Sequence, residues 1–162
     1  MRYLIAIDVG VRNLGFCVFD IQTEKVVDWR NVALCTTHNY VPGDNVGLVM
    51  HFVRENAQWF SQCAKLIIEK QIRCNMRIIE AVFHTLFFDK CVVVHAKNVK
   101  MHFNTSMKNY KDNKRRAVEF VTANLPAFAP EWQLSFEDNK KKDDLADALL
   151  LIQYFRNTFI LN

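Results

Sequence analysis

The stretch 4-LIAIDVGVRNLGFCVFD-20 decides the fold. Residues Tyr3 to Asp8 alternate and predict a strand, which stops on an acid. After a turn holding Gly10, Asn13 and Gly15, a second strand is predicted from Leu14 to Ile21. A carboxylate at the end of a core strand is costly unless something pairs with it, so Asp8 asks for a partner elsewhere in the chain. Gly10 and Gly15 are expected to permit the tight turn. Asn13 either fixes that turn or contacts a ligand.

Working outward, Lys25 to Leu34 predicts a third strand, joined to the second by the turn Gln22-Thr23-Glu24. Thr36 to Gly43 is polar, with Pro and Gly, and predicts a loop. Asp44 is the expected N-cap of a helix running to about Gln62, with Val46, Val49, Phe52, Val53 and Phe60 on its apolar face. The segment 65-KLIIE-69 is a short strand that again ends on an acid. Asn75 to Phe88 predicts a helix and Cys91 to His95 a fifth strand. Lys97 to Asp112 reads as polar, basic and irregular. A helix is expected from Asn113 to Asn124, ended before Pro126, then a loop to Asn139 and a last helix from Asp143 to about Phe159. The order predicts an α/β fold: a mixed five-stranded sheet, its first three strands an antiparallel meander, flanked by helices.

The chain of 162 residues suits a single domain (1–162) with a sizeable core, and at 51% hydrophobic it is no disordered tail. No run approaches the roughly 20 apolar residues of a membrane span, and the N-terminus does not read as a signal peptide, so an intracellular protein is expected. The five cysteines, Cys17, Cys35, Cys63, Cys74 and Cys91, are odd in number and form no CxxC pair. That argues against a disulfide framework or a zinc site and for a reducing compartment. The histidines His38, His51, His84, His95 and His102 show no ligand spacing.

Chemistry collects on acids. If the strands ending at Asp8 and Glu69 are parallel neighbours, their carboxylates sit side by side at one sheet edge. The last helix opens with 140-KKKDDLADALLL-151. Asp144 and Asp147 share one of its faces, and Asp143 and Asp147 are also spaced to do so. Leu145, Ala148, Leu149 and Ile152 form the stripe that docks this helix on the sheet. Four gathered carboxylates need cations. Oxygen-only donors favour Mg²⁺, two ions of which suit phosphodiester hydrolysis. Each acid alone has a plainer reading: a turn or cap for Asp8, an ion pair with Lys70 for Glu69, a helix first turn for Asp143 and Asp144.

The net charge of +4 is modest, but its distribution is not even. Lys97, Lys100, Lys108, Lys111, Lys114, Arg115 and Arg116 stand against Asp112 alone, and Lys140, Lys141 and Lys142 form a second run. Clustered bases with interleaved Phe103 and Tyr110 match a phosphate-backbone surface. The two aromatics read equally as base-stacking or as packing.

The blocks 5-IAIDVGVRNLGF-16, 67-IIEKQ-71, 73-RCNMRIIEA-81, 113-NKRRAVEF-120 and 143-DDLADALLL-151 resemble, in order and over nearly the whole chain, the RNase H-like Holliday junction resolvases. The resemblance is to the poxvirus resolvases, relatives of bacterial RuvC and of fungal mitochondrial enzymes. It implies an RNase H-like nuclease domain, a homodimer, and symmetric cleavage of four-way DNA. It also implies resolution of viral genome concatemers at replication sites in the host cytoplasm. By match, Asp8, Glu69, Asp144 and Asp147 hold two Mg²⁺ or Mn²⁺ ions. Some relatives carry His where this chain has Asp144, and Asp143 competes for that role. Lys114 is the residue expected at the scissile phosphate, with Lys111 and Lys100 behind it. The other basic residues named, Lys97, Lys108, Arg115, Arg116 and Lys140 to Lys142, are expected to hold the DNA arms. The helix Asn75 to Phe88, with Phe83 and Phe87, is richer in large apolar residues than one sheet face needs and is expected to form part of the dimer interface.

Three rivals remain. Another RNase H-like nuclease would use the same acids on an RNA–DNA hybrid or linear DNA. A junction-binding protein without catalysis would not need all four. An actin- or sugar-kinase-like ATPase shares the look of IDVGVRNLGF but needs two such domains, so no nucleotide cofactor is expected.

Overall fold

The computed structural model describes residues 1–160, with Tyr110 and Ile160 described by their backbone alone. Five strands form one sheet: β1 (Tyr3–Asp8), β2 (Leu14–Asp20), β3 (Lys25–Val32), β4 (Cys63–Glu69) and β5 (Cys91–Val94), in the order β3-β2-β1-β4-β5. β1 pairs antiparallel with β2, and β2 with β3; β1 and β4 run parallel, as do β4 and β5. The meander and the mixed sheet match the sequence reading.

The helices are α1 (Asn45–Glu55), α2 (Ala57–Phe60), α3 (Cys74–Leu86), α4 (Ala96–His102), α5 (Tyr110–Phe128), α6 (Gln133–Asp138) and α7 (Lys142–Phe155). They cover both faces of the sheet, which explains why β1 and β2 are apolar almost throughout. Leu4, Ala6, Cys17, Phe19, Trp29 and Ile67 pack against α5 and α7. Ile5, Ile7, Phe16, Val18, Leu66 and Ile68 pack on the other face with Phe52, Phe60, Ile79 and Phe83. Among the described residues no helix is long and apolar enough to cross a membrane.

Several boundaries differ from expectation for local reasons. Asp44 makes no side-chain cap; it ends a 3₁₀ turn, Pro42–Asp44. The start of α1 is held instead by buried Asn45, which accepts from Tyr40 Oη (2.9 Å) and donates to the Asn75 carbonyl (3.1 Å). The helix does not run to Gln62. It breaks at Asn56, whose side chain donates to the Phe52 carbonyl at 2.8 Å, competing with the backbone ladder. The basic stretch after Lys97 is helical through α4, because Val99 and Phe103 are buried against the sheet. α5 passes through Pro126 in its last turn, where only one backbone bond is lost and buried Leu125 and Ala129 hold the chain. The expected loop before Asn139 contains a 3₁₀ turn, Pro130–Trp132, and α6. α7 ends at Phe155 and continues as one π turn, Arg156–Ile160.

One aromatic alternative is decided and one aromatic expectation changes. Phe103 is buried 5.3 Å from the Phe120 ring centroid, so it packs and does not stack on a base. The Tyr110 side chain lies outside the described residues. Phe83 is wholly buried and so is not on a free face of α3, while half-buried Phe87, just past that helix, packs 5.2 Å from Phe60. All five cysteines are free; Cys17 and Cys63 are buried, whereas Cys74 is exposed.

Candidate active site

The site begins with strand register. β1 and β4 are parallel neighbours with Ile7 opposite Ile68, so Asp8 and Glu69 follow side by side at their C-terminal ends. Side chains alternate across a sheet. Leu4, Ala6 and Ile67 face α7, which puts Asp8 and Glu69 on that same face.

α7 brings the other acids. Its register on the sheet is set at two points. A Cβ on Gly15 would lie 2.2 Å from the Asp144 carbonyl oxygen and 3.3 Å from the Ala148 Cβ. Gly15 therefore admits the first turn of the helix against β2, where it pairs with Asp8. That corrects its expected part in the turn. Gly10 does serve the turn, since a Cβ there would lie 2.4 Å from the Asn13 carbonyl oxygen. The backbone of Asn13, not its exposed side chain, makes that contact. The second point is the Trp29 indole on β3, which donates to the Leu145 carbonyl at 2.9 Å and stacks on Phe136 at 5.0 Å.

Asp8, Glu69, Asp143, Asp144 and Asp147 thus line one cleft of about 560 Å³. Among the described residues no three His, Cys, Asp or Glu side chains converge into a ready-made ligand set. The acids spread over the cleft, as like charges do. Their electrostatics record the crowding. Burial, then the charges of Glu69, Asp147 and Asp144, push Asp8 well above the usual carboxylate range. Burial and Asp147 push Glu69 up to about 7, against the pull of Lys100 and Lys114. Burial pushes Asp147 up to about 6, with Lys100 and Lys114 opposing and Asp144 and Asp143 adding. Burial and Asp143 raise Asp144. Asp143 alone of the five is lowered: burial raises it, but the hydrogen bond and charge of Lys114 together outweigh that. This donor set, all carboxylate oxygen, fits a hard divalent cation.

The structure sorts the expected basic residues. Lys97, Lys100, Lys114 and Lys141 line the cleft. Lys108 and Lys111 are exposed near the start of α5, outside that lining, so Lys100 and not Lys111 stands second to Lys114. Arg115 and Arg116 are exposed and engaged with Asp112 (3.3 Å) and Glu119 (3.5 Å). Lys140 is exposed and Lys142 half-buried, both outside the lining. Arg12, Lys70, Gln71, Arg73 and His95 also line the cleft, a place the sequence reading does not give them. Their signal was adjacency: Arg12 follows Asp8, residues 70–73 follow Glu69, and His95 follows β5. Gln71 is held firmly, its N–H donating to Glu80 Oε2 (2.6 Å) and its amide to the Glu69 carbonyl (2.9 Å).

A mixed five-stranded sheet in this order, flanked by helices, is the RNase H-like fold. The profile of the Poxvirus A22 protein family matches residues 2–157, and the chain belongs to that family. None of the curated proteins matches it in sequence. Among solved structures it is similar to the fowlpox virus Holliday junction resolvase (TM-score 0.70, 16% identity, 96% of this chain and 98% of that one). The fowlpox virus resolvase in complex with substrate Holliday junction DNA gives TM-score 0.71 at 14% identity over 97% and 99% of the two chains. Thermus thermophilus RuvC gives 0.62 at 15% identity, over 96% and 95%. At such identities the likeness lies in the fold.

Proposed function

We propose that the protein is a Holliday junction resolvase, a metal-dependent endonuclease that cuts four-way and branched DNA symmetrically as a homodimer. Residues 1–162 act as one nuclease domain inside the infected cell, at replication sites in the cytoplasm, resolving concatemers and recombination intermediates. The observation that carries the reading is the meeting of Asp8, Glu69, Asp144 and Asp147 in one cleft rimmed by lysines, in a chain of this family. Its similarity to a resolvase bound to junction DNA supports the choice of substrate.

Asp8, Glu69, Asp144 and Asp147 would hold two Mg²⁺ ions, with Mn²⁺ able to substitute, which supply Lewis acidity and an activated water. The residues do the rest. Their carboxylates aim the reacting centre at the C-terminal edge of β1 and β4. Lys114, reaching from α5 into the cleft, offsets charge that grows on the phosphate as water attacks phosphorus and the P–O3′ bond breaks. Lys97, Lys100 and Lys141 grip the phosphates beside the cut. Lys108, Lys111, Arg115, Arg116, Lys140 and Lys142 extend that grip along the arms. Junction shape and flexibility, more than base edges, select the substrate. The dimer face falls on α3 and α1, where Ile78, Leu86, Val46 and Met50 are exposed.

The test is cleavage of a labelled synthetic four-way junction in Mg²⁺, beside a linear duplex and an RNA–DNA hybrid, with Asp147→Asn as control. Paired symmetric nicks in the junction alone, lost in the variant, support the proposal. Cutting of the hybrid would move the activity to ribonuclease, and binding without cutting in Mg²⁺ or Mn²⁺ would leave a structural binder.

A further inference from the structure

The two acids that open α7 are adjacent and both approach Lys114, at different distances. Asp144 is the deeper, its side chain 13% exposed against 25% for Asp143, and its backbone is seated on Gly15. Asp143 stands one residue towards α5 and accepts a hydrogen bond from Lys114 Nζ through Oδ2. The same ammonium is 3.6 Å from Asp144 Oδ1. Adjacent helix residues leave the axis about 100° apart, yet the Lys114 ammonium reaches both carboxylates and bonds Asp143 the more closely. Helix spacing leaves either one a face shared with Asp147; the Lys114 hydrogen bond goes to Asp143, and Asp144 is the deeper of the two.

We infer that Asp143 is the positioning residue of Lys114 and stands outside the metal-ligand set proposed above. The inference rests on the resolvase reading for its catalytic consequence, but its geometry does not depend on which nucleic acid is cut. A lysine side chain has four rotatable bonds and points freely unless something holds it. Asp143 holds Lys114 at the cleft wall, within reach of Asp144 and of an incoming phosphate, so the cation is in place before substrate arrives. Lys114 sits on α5 and Asp143 on α7, so the pair also ties together two helices that close the same side of the cleft.

A double-mutant cycle with two readouts tests this. The first readout is Mn²⁺ binding by calorimetry to protein without DNA, for wild type, Asp143→Asn, Asp144→Asn and Lys114→Met. The second is single-turnover cleavage of a four-way junction by the same proteins and by the Asp143→Asn/Lys114→Met double variant. Asp143→Asn should leave the Mn²⁺ midpoint within about twofold of wild type, whereas Asp144→Asn should weaken it by about tenfold or more. Asp143→Asn should slow cleavage about tenfold, the scale of one charge-assisted hydrogen bond, and should add nothing in the Lys114→Met background. A tenfold loss of Mn²⁺ affinity in Asp143→Asn, or a full additive effect in the double variant, would overturn the inference. If wild type cut no junction, the resolvase reading would fall while the Mn²⁺ titration still decided the place of Asp143. Thermal unfolding of each variant confirms that the proteins compared are folded.

Discussion

Replacing Glu69 by Gln should abolish cleavage and yet make the protein more stable above neutral pH. Burial and the Asp147 charge lift the Glu69 carboxyl from its ordinary 4.5 to about 7. The folded state therefore holds a proton that the unfolded state has released. Below about pH 4.5 both states are protonated and the site costs nothing. As pH climbs from about 4.5 to about 7 the cost of ionising the crowded group accumulates, reaching about 3 kcal/mol at 1.36 kcal/mol per pH unit. Glutamine removes the charge but keeps a desolvated amide, so a gain of about 2 kcal/mol is expected at pH 8, or roughly 4–8 °C in Tm for a chain of this size. The assay is thermal unfolding of both proteins in metal-free buffer at pH 5 and pH 8. Wild type should lose stability across that window and Glu69→Gln should lose less. A wild type that grows more stable from pH 5 to 8, or a variant no more stable at pH 8, refutes the reasoning.

Other perturbations follow from packing and charge. Gly15→Ala would place a methyl 2.2 Å from the Asp144 carbonyl, so it should cost about 1–3 kcal/mol in urea unfolding and displace the acids of α7, lowering cleavage further than lost stability accounts for. Trp29→Phe keeps the stack on Phe136 but strands the Leu145 carbonyl's indole bond, and a loss of about 1 kcal/mol should appear in the same assay. Ile78→Asp should halve the mass seen by light scattering and leave each chain folded, whereas Phe83→Asp should unfold it; an unchanged mass for Ile78→Asp removes α3 from the dimer face. Junction affinity should fall steeply with salt, and Lys97→Ala/Lys100→Ala should make the log–log slope shallower by about 2.

What could be read in the sequence was what depends on neighbours along the chain. β1 is bounded by Tyr3 and Asp8 as its alternation predicts, and β4 ends on Glu69, because a strand's period and its terminal acid are both local. The four acids line one cleft because a parallel β1–β4 pair and a stripe on α7 follow from the same patterns. What was not legible depends on contacts far away in sequence. Gly15 looks like a turn glycine until α7 is laid against it. α4 is hidden because a short helix anchored by Val99 and Phe103 alone offers too few apolar positions to show a period. Phe83 looks like a surface patch on a helical wheel, and only the opposing Phe52 and Phe60 rings show it to be core. The clasp of Gln71 between Glu69 and Glu80 joins a loop to a helix and has no sequence signature.

The parallel pairing of β1 and β4 makes the sheet a ruler. Neighbouring strands lie about 4.8 Å apart whatever their side chains, because backbone hydrogen bonds set the distance. The gap between the Asp8 and Glu69 backbones is thereby calibrated by the main chain and insulated from how well the core is filled. Conservative changes among Ile5, Ile7, Leu66 and Ile68 should therefore alter how many molecules are folded at a given temperature, while each surviving molecule works at the wild-type rate. Damage at Gly15 is of the other kind, since it moves the helix against the scale instead of wearing the scale away.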